Sequence, residues 1–300
     1  MFYYLSWFLV GYTALTMAFF MLSLFVPKAG FPARLLASYI ALLLCAGYGV
    51  FISIFLRLTT GTSQSAQHAA GRAFAKLMEL STGVRFDVID PKGHLDTVRP
   101  AVFIGNHQTE LDVLMLGAMF PKNCGITAKK SLKKIPFLGW FMALSGAVFI
   151  DRKNTKDARQ AMAGAAAQMQ ENKQSVYMFP EGTRSYSKEP MLLPFKKGAF
   201  HLAVQAQVPI VPCVVANYSH ILWIRGMHFK AGRIPVKVMD PIPTKGLTTA
   251  DVDELTRTTR EAMLRELVTL TAKARGTRVP TEVERDQALK ASGVEVKRAI

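Results

Sequence analysis

Ala101-Val102-Phe103-Ile104-Gly105-Asn106-His107-Gln108-Thr109-Glu110-Leu111-Asp112 is the stretch from which the rest of the chain can be read. Ala101 to Ile104 is an apolar run of the kind that forms a buried strand, and Gly105-Asn106 stop it. Thr109 and Asp112 stand at N-cap and third-position spacing, which predicts a helix over 110–119. His107 lies between strand and helix. A histidine there is held rigidly and titrates near neutral pH, so it can take and return protons. His107 and Asp112 do not share a helix face, because facing neighbours are three or four apart. If the chain turns between them, the carboxylate can reach one ring nitrogen and leave the other free as a base. The alternative is that Asp112 only offsets the helix N-terminus and His107 is an ordinary loop residue. A His-x4-Asp spacing alone does not choose between the two.

The pattern of strand, polar break and helix recurs after Val84. Strands are predicted at 85–89, 101–104, 125–127, 147–150, 176–179, 210–215 and 236–239. Helices are predicted at 110–119, 132–144, 155–171, 197–205 and 251–275. This alternation predicts an α/β fold, a mixed buried sheet flanked by helices. One strand ends in Asp151-Arg152, which is either a surface ion pair or a guanidinium fork at the cleft edge. Another runs from Val176 into Pro180-Glu181-Gly182-Thr183-Arg184-Ser185. Its hydroxyls, backbone N–H groups and Arg184 suit a phosphate, and an internal Glu181–Arg184 pair is the competing reading. Lys196 and Lys197 precede the next helix, where an anion is favoured. The basic segment Ala128 to Pro136 reads either as a solvated turn or as a lip that touches phosphate groups or a membrane.

The front of the chain is different. Half of all residues are hydrophobic and 19% are charged, and the apolar excess is concentrated before Arg57. Phe2 to Val26 and Leu35 to Leu56 carry no charge, and only a Pro- and Gly-containing turn separates them. The first run as a helix would span about 37 Å against a hydrocarbon core of about 30 Å. The expectation is an N-terminal membrane helical hairpin over 1–58. A connecting amphipathic helix over 59–82 would lie along the membrane surface, ahead of a catalytic domain over 83–275. The first run lacks the basic n-region of a signal peptide. Residues 276–300 have no aromatic residue and are expected to form a mobile basic tail with room for a short helix. The formal net charge is +16, from 37 Lys and Arg against 21 Asp and Glu. These residues are dispersed and no nucleic-acid motif appears, so a lipid or phosphorylated partner is expected rather than nucleic acid. The three cysteines, Cys45, Cys124 and Cys213, show no metal spacing, and no metal is expected.

Four blocks in order, NHQTELD, VFIDR, FPEGTRS and VPIVP, resemble those of the glycerophospholipid acyltransferase family, in particular its 1-acyl-sn-glycerol-3-phosphate acyltransferases. The resemblance extends over roughly residues 85–245. One departure is Ser131, where many members carry an acidic residue. The resemblance implies transfer of a fatty acyl group from acyl-CoA, a co-substrate rather than a cofactor, to lysophosphatidic acid. His107 would be the general base and Asp112 its orienting partner. Glu181, Gly182, Thr183, Arg184, Arg152 and Lys196 would bind the substrate phosphate. Glycerol 3-phosphate or another lysophospholipid as acceptor, and a non-catalytic phospholipid-binding membrane protein, are the alternatives. A hairpin brings Met1 and Arg57 to one side, and the basic residues beyond it place that side in the cytosol. That implies an endoplasmic reticulum membrane protein, or an inner-membrane one in a bacterium. Nothing in the sequence sets an oligomeric state.

Overall fold

The computed structural model describes residues 2–63, 65–150 and 155–291. Arg152, singled out above, lies outside the described residues. The chain opens with helices α1 (Phe2–Leu22), α2 (Gly30–Thr60) and α3 (Ala66–Thr82). There follow β1 (Val84–Ile89), α4 (His94–Thr97), β2 (Val102–Gly105), α5 (Asp112–Met119) and β3 (Cys124–Lys129). Next come α6 (Leu138–Leu144), β4 (Val148–Ile150), α7 (Thr155–Asn172), β5 (Ser175–Met178), α8 (Gly198–Ala206) and β6 (Ile210–Val215). The chain continues with β7 (Leu222–Trp223), β8 (His228–Phe229), β9 (Gly232–Val238), α9 (Val252–Arg275) and α10 (Glu282–Ala291).

Seven strands form one sheet in the order β1-β9-β6-β2-β5-β3-β4. The block β6-β2-β5-β3-β4 is parallel throughout, and β9 meets β6 antiparallel. The five parallel strands therefore end on one edge, where an open α/β sheet presents its loops to ligands. Both faces of the sheet are covered. Phe103, Tyr177, Val211 and Cys213 point into a core shared with α3 and α5. Their neighbours Val102, Ile104, Val176, Met178, Ile210 and Val214 point to the opposite core, formed with α7, α8 and α9. This is the two-sided burial that near-continuous apolar strands require.

Helix α2 inverts the usual pattern. Its buried face is Gly30, Ala33, Ala37, Ala41, Cys45, Ala46, Gly49 and Ser53, while Tyr39, Leu43, Leu44, Phe51, Phe55 and Leu58 are exposed. Small residues are buried and large apolar residues are exposed, a pattern also found in helices that pack together within membranes. One stretch, Pro27–Thr60, is long and apolar enough to cross a membrane, with mean hydropathy 2.2. The apolar stretch of α1 is shorter, Ser6–Leu22, yet its Trp7, Phe8, Val10, Met17 and Met21 are all exposed. Helix α3 does not lie apart on a surface. It is held between α2 and α5, and its contact with α5 is so close that a Cβ on Gly117 would fall 2.5 Å from the Gly71 carbonyl oxygen.

Three local expectations are revised. The helix predicted over 132–144 is a 3-10 turn at Lys130–Lys134 followed by α6. Pro136 supplies no N–H, and it holds Ile135 extended at φ −79° and ψ 121°. The last sheet strand begins at Gly232 rather than near 236, because Ile234, Val236 and Val238 are buried in alternation with more exposed Arg233, Pro235 and Lys237. Helix α5 begins at Asp112, and Thr109 is not its N-cap. Within the expected tail, α10 is ion-paired to α9 through Arg265 and Asp286 at 3.0 Å.

Candidate active site

The loops that leave β2 and β5 meet at the parallel edge. Asn106 is fastened to the neighbouring strand: its Nδ2 donates to the Val215 carbonyl at 3.0 Å and its Oδ1 accepts from the Val215 N–H at 2.8 Å. Gln108 donates to the Val215 and Ala216 carbonyls. His107 lies between these two anchors. Its ring stacks on Phe179 with centroids 4.1 Å apart and planes 14° apart. Its Nδ1 lies 2.6 Å from Asp112 Oδ2. With a carboxylate as acceptor, Nδ1 carries the proton and Nε2 is left with a lone pair.

Asp112 is 1% exposed, and its charge is compensated by donors from three directions. Oδ2 also accepts the backbone N–H groups of Gln108 at 2.6 Å and Thr109 at 3.2 Å. Oδ1 accepts the hydroxyl of Tyr218 at 2.7 Å. Burial beside Asp112 pushes the Tyr218 phenol well above its ordinary pKa, so it stays a donor. The carboxylate thus both starts α5 and holds the imidazole, the two readings that the spacing alone left open.

The Pro180–Ser185 loop is joined to the histidine loop by backbone bonds. Ser185 N–H donates to the His107 carbonyl at 2.9 Å, and Tyr186 N–H to the Gln108 carbonyl at 3.1 Å. Glu181 is turned inward and is 3% exposed. It accepts His107 N–H at 2.7 Å and Leu193 N–H at 2.8 Å. Burial outweighs those two N–H bonds, which act to lower it, and leaves its carboxyl pKa raised to about 7. Gly182 sits at φ +71° with its N–H on the Phe179 carbonyl at 3.0 Å. A side chain there would strike Lys196, whose Cε would be 2.9 Å from the new Cβ. Thr183 and Lys196 are exposed at the mouth.

Arg184 does not pair with Glu181. Its Nη1 donates to Glu110 Oε1 at 2.8 Å. Of the sequence-predicted residues, His107, Asp112, Glu181, Gly182, Arg184 and Lys196 therefore come together in two joined loops. Tyr218, Phe179, Glu110 and Tyr186 were not singled out by sequence reasoning. Only for Phe179, the last apolar residue before the Pro180 turn, did the sequence hold a usable sign. Among the described residues no three His, Cys, Asp or Glu side chains are placed to hold a metal ion. What the arrangement offers is an imidazole held by a buried carboxylate, beside an arginine and a lysine.

A family model described as Acyltransferase matches residues 89–216. An uncharacterized acyltransferase of Schizosaccharomyces pombe is 44% identical over 235 residues, 78% of this chain and 84% of that protein. The 1-acyl-sn-glycerol-3-phosphate acyltransferase of Saccharomyces cerevisiae is 42% identical over 225 residues, 75% of this chain and 73% of that one. The human 1-acyl-sn-glycerol-3-phosphate acyltransferase beta is 41% identical over 190 residues, 63% and 67% of the two chains. The crystal structure of the 1-acyl-sn-glycerophosphate (LPA) acyltransferase PlsC from Thermotoga maritima shares the fold. Its TM-score is 0.60 at 21% identity, covering 86% of this chain and 96% of that one.

Proposed function

This chain belongs to the acyltransferase family that includes the 1-acyl-sn-glycerol-3-phosphate acyltransferases, and from that premise we propose that it acylates the sn-2 hydroxyl of 1-acyl-sn-glycerol 3-phosphate with acyl-CoA as donor. The products are phosphatidic acid and CoA. The observation that carries this reading is the joined pair of loops. The 2.6 Å His107–Asp112 contact is tied through Ser185 N–H and the His107 carbonyl to the loop that bears Arg184.

In the proposed reaction His107 Nε2 removes the proton of the acceptor hydroxyl as its oxygen attacks the thioester carbonyl. A C–O bond forms, the tetrahedral intermediate collapses, and the C–S bond breaks. The imidazolium then gives its proton to the departing thiolate. Asp112 stabilises the imidazolium and fixes its tautomer. No side-chain nucleophile is needed. Arg184, with its planar fork, and Lys196, as a point charge, serve the acceptor phosphate. Thr183 supplies a hydroxyl at the mouth. We assign Glu181 and Gly182 to shaping the loop. A buried carboxylate already accepting two N–H groups has nothing to offer a phosphate, and the Gly182 N–H is engaged at Phe179. Arg152 keeps its proposed place as a further phosphate contact.

The exposed apolar surfaces of α1 and α2 support a bilayer as the medium in which both lipid substrates arrive. An acyl chain gains about 0.8 kcal/mol per buried methylene by staying there. We assign the enzyme to the endoplasmic reticulum membrane with the site on the cytosolic side. The deciding experiment is CoA release by purified protein given acyl-CoA and a panel of acceptors. Lysophosphatidic acid should be preferred over glycerol 3-phosphate, lysophosphatidylcholine and monoacylglycerol. CoA release without any acceptor would make the protein a thioester hydrolase instead. Preference for glycerol 3-phosphate would move it one acylation earlier.

A further inference from the structure

Arg184 is engaged by side chains of its own chain. Oε1 of Glu110 accepts from Arg184 Nη1 at 2.8 Å and from the Tyr186 hydroxyl at 2.7 Å, and Arg184 Nη1 also reaches the Tyr186 oxygen at 3.3 Å. One carboxylate oxygen thus collects a guanidinium and a phenol, as a phosphate oxygen would. The arginine Nε is buried and has no hydrogen-bond partner. A carboxylate oxygen therefore takes one donor of this guanidinium, while another is sealed from water without an acceptor. An ordinary surface ion pair leaves its spare donors in solvent.

The two partners are not equally free to move. The Glu110 side chain is 51% exposed, that of Arg184 35%. Glu110 can swing into water. Arg184 belongs to the loop joined to His107, and Tyr186 is held at φ +46°, an uncommon value for a residue with a Cβ, with its N–H on the Gln108 carbonyl. The acceptor is the more exposed partner, and the donors sit on a loop bonded to the histidine loop.

We propose that Glu110 is a resident stand-in for the acceptor's phosphate, displaced when lysolipid binds and returning to Arg184 as the phosphorylated product leaves. This rests on the assignment of Arg184 to the phosphate. A phosphate monoester carries more charge than a carboxylate and three oxygens. It can replace Glu110 at Nη1 and hold the guanidinium with the stronger charge. The exchange keeps Arg184 organised between turnovers. It also weakens every ligand that must evict the carboxylate by one common factor, substrate and product alike, and leaves untouched any ligand that does not use Arg184.

The test is steady-state kinetics of full-length Glu110→Gln and Glu110→Ala on lysophosphatidic acid and on monoacylglycerol, with phosphatidic acid as product inhibitor and Arg184→Ala as control. The expected result in both Glu110 variants is a rise in kcat/KM for lysophosphatidic acid of about twofold to fivefold, the range an exposed ion pair yields. The inhibition constant of phosphatidic acid should fall by the same factor, and monoacylglycerol should be unchanged. A fall in kcat/KM for lysophosphatidic acid would make Glu110 a support for Arg184 and overturn the proposal. So would no change, or an equal rise on both acceptors. Arg184→Ala tests the underlying assignment separately. If it impairs both acceptors in equal proportion, Arg184 is not the phosphate residue, whatever Glu110 does.

Discussion

Replacing Asp112 with Asn tests whether the buried charge or merely the shape of that side chain serves the histidine. The geometry allows the two to be separated. The amide oxygen of the substituted side chain can face Gln108 N–H, Thr109 N–H and His107, where Oδ2 stood. Its NH2 would face the Tyr218 hydroxyl, which can turn to accept. The fold should survive with a loss of about 1–2 kcal/mol, or a Tm fall of roughly 2–8 °C. The charge does not survive. With Nδ1 and Oδ2 at 2.6 Å, the imidazolium and carboxylate charge centres are about 4 Å apart. That is an attraction of about 4 kcal/mol at an effective dielectric constant near 20. In the proposed reaction the imidazolium forms as the hydroxyl attacks, so the loss falls on the transition state. The expected outcome is a kcat about a thousandfold lower, with KM for either substrate little changed. CoA release followed with a thiol reagent measures it directly. His107→Ala should fall as far, and the double variant little further, since the two residues act as one unit. A folded Asp112→Asn protein with kcat within tenfold of the parent would refute the role given to the charge.

Tyr218→Phe removes one charge-assisted bond to Asp112 in a fully buried site. It should lower kcat about tenfold to a hundredfold at unchanged KM, and a matching loss in KM alone would show that the tyrosine shapes a binding surface instead. Glu181 gives a pH signature. Its carboxyl titrates at about 7 in the fold against an ordinary 4.5, so the folded protein holds that proton more tightly than the unfolded chain. The resulting stability is complete below pH 4.5 and is lost as pH rises through 7. The change is about 3 kcal/mol. Thermal melts of the detergent-solubilised protein at pH 5 and pH 8 should show this drop in the parent and not in Glu181→Gln, and parallel drops would remove Glu181 as its source. Gly117→Ala places a Cβ 2.5 Å from the Gly71 carbonyl oxygen, whereas Gly71→Ala meets the Gly117 Cα at 3.2 Å. The first should cost about 1–3 kcal/mol and the second distinctly less. Equal melting temperatures would mean that α3 and α5 can move apart freely.

What could be read from the residues was what lies close in sequence. Strand cores such as Ile210–Val215, the turn between His107 and Asp112, and the polar loop after Val176 all announce themselves through local pattern. The partners of those residues do not. Tyr218 reaches Asp112 across 106 positions, and Arg184 meets Glu110 across 74. Both pairings depend on β2 lying between β5 and β6, an order that periodicity does not encode. The Glu181–Arg184 pair suggested by nearness in sequence fails for the same reason: burial of Glu181 under the His107 N–H turns it away from its neighbour. The break at Pro136 was legible in principle, but the apolar run on either side outweighed it. The short strands β7 and β8 are two residues each, below the length at which alternation is a signal.

The close packing of α2 on α3, and of α3 on α5, has a mechanical meaning. Asp112 is the first residue of α5, so α2 against α3 and α3 against α5 form a run of packed helices from the exposed apolar face of α2 to the carboxylate that holds the imidazole. In the proposed membrane setting, a bilayer too thin for the apolar length of α2 is met by tilting the helix, and the expectation is that the tilt reaches the His107 loop. Turnover on vesicles of graded acyl-chain length should pass through an optimum, set by the thickness that leaves the reacting hydroxyl level with the histidine.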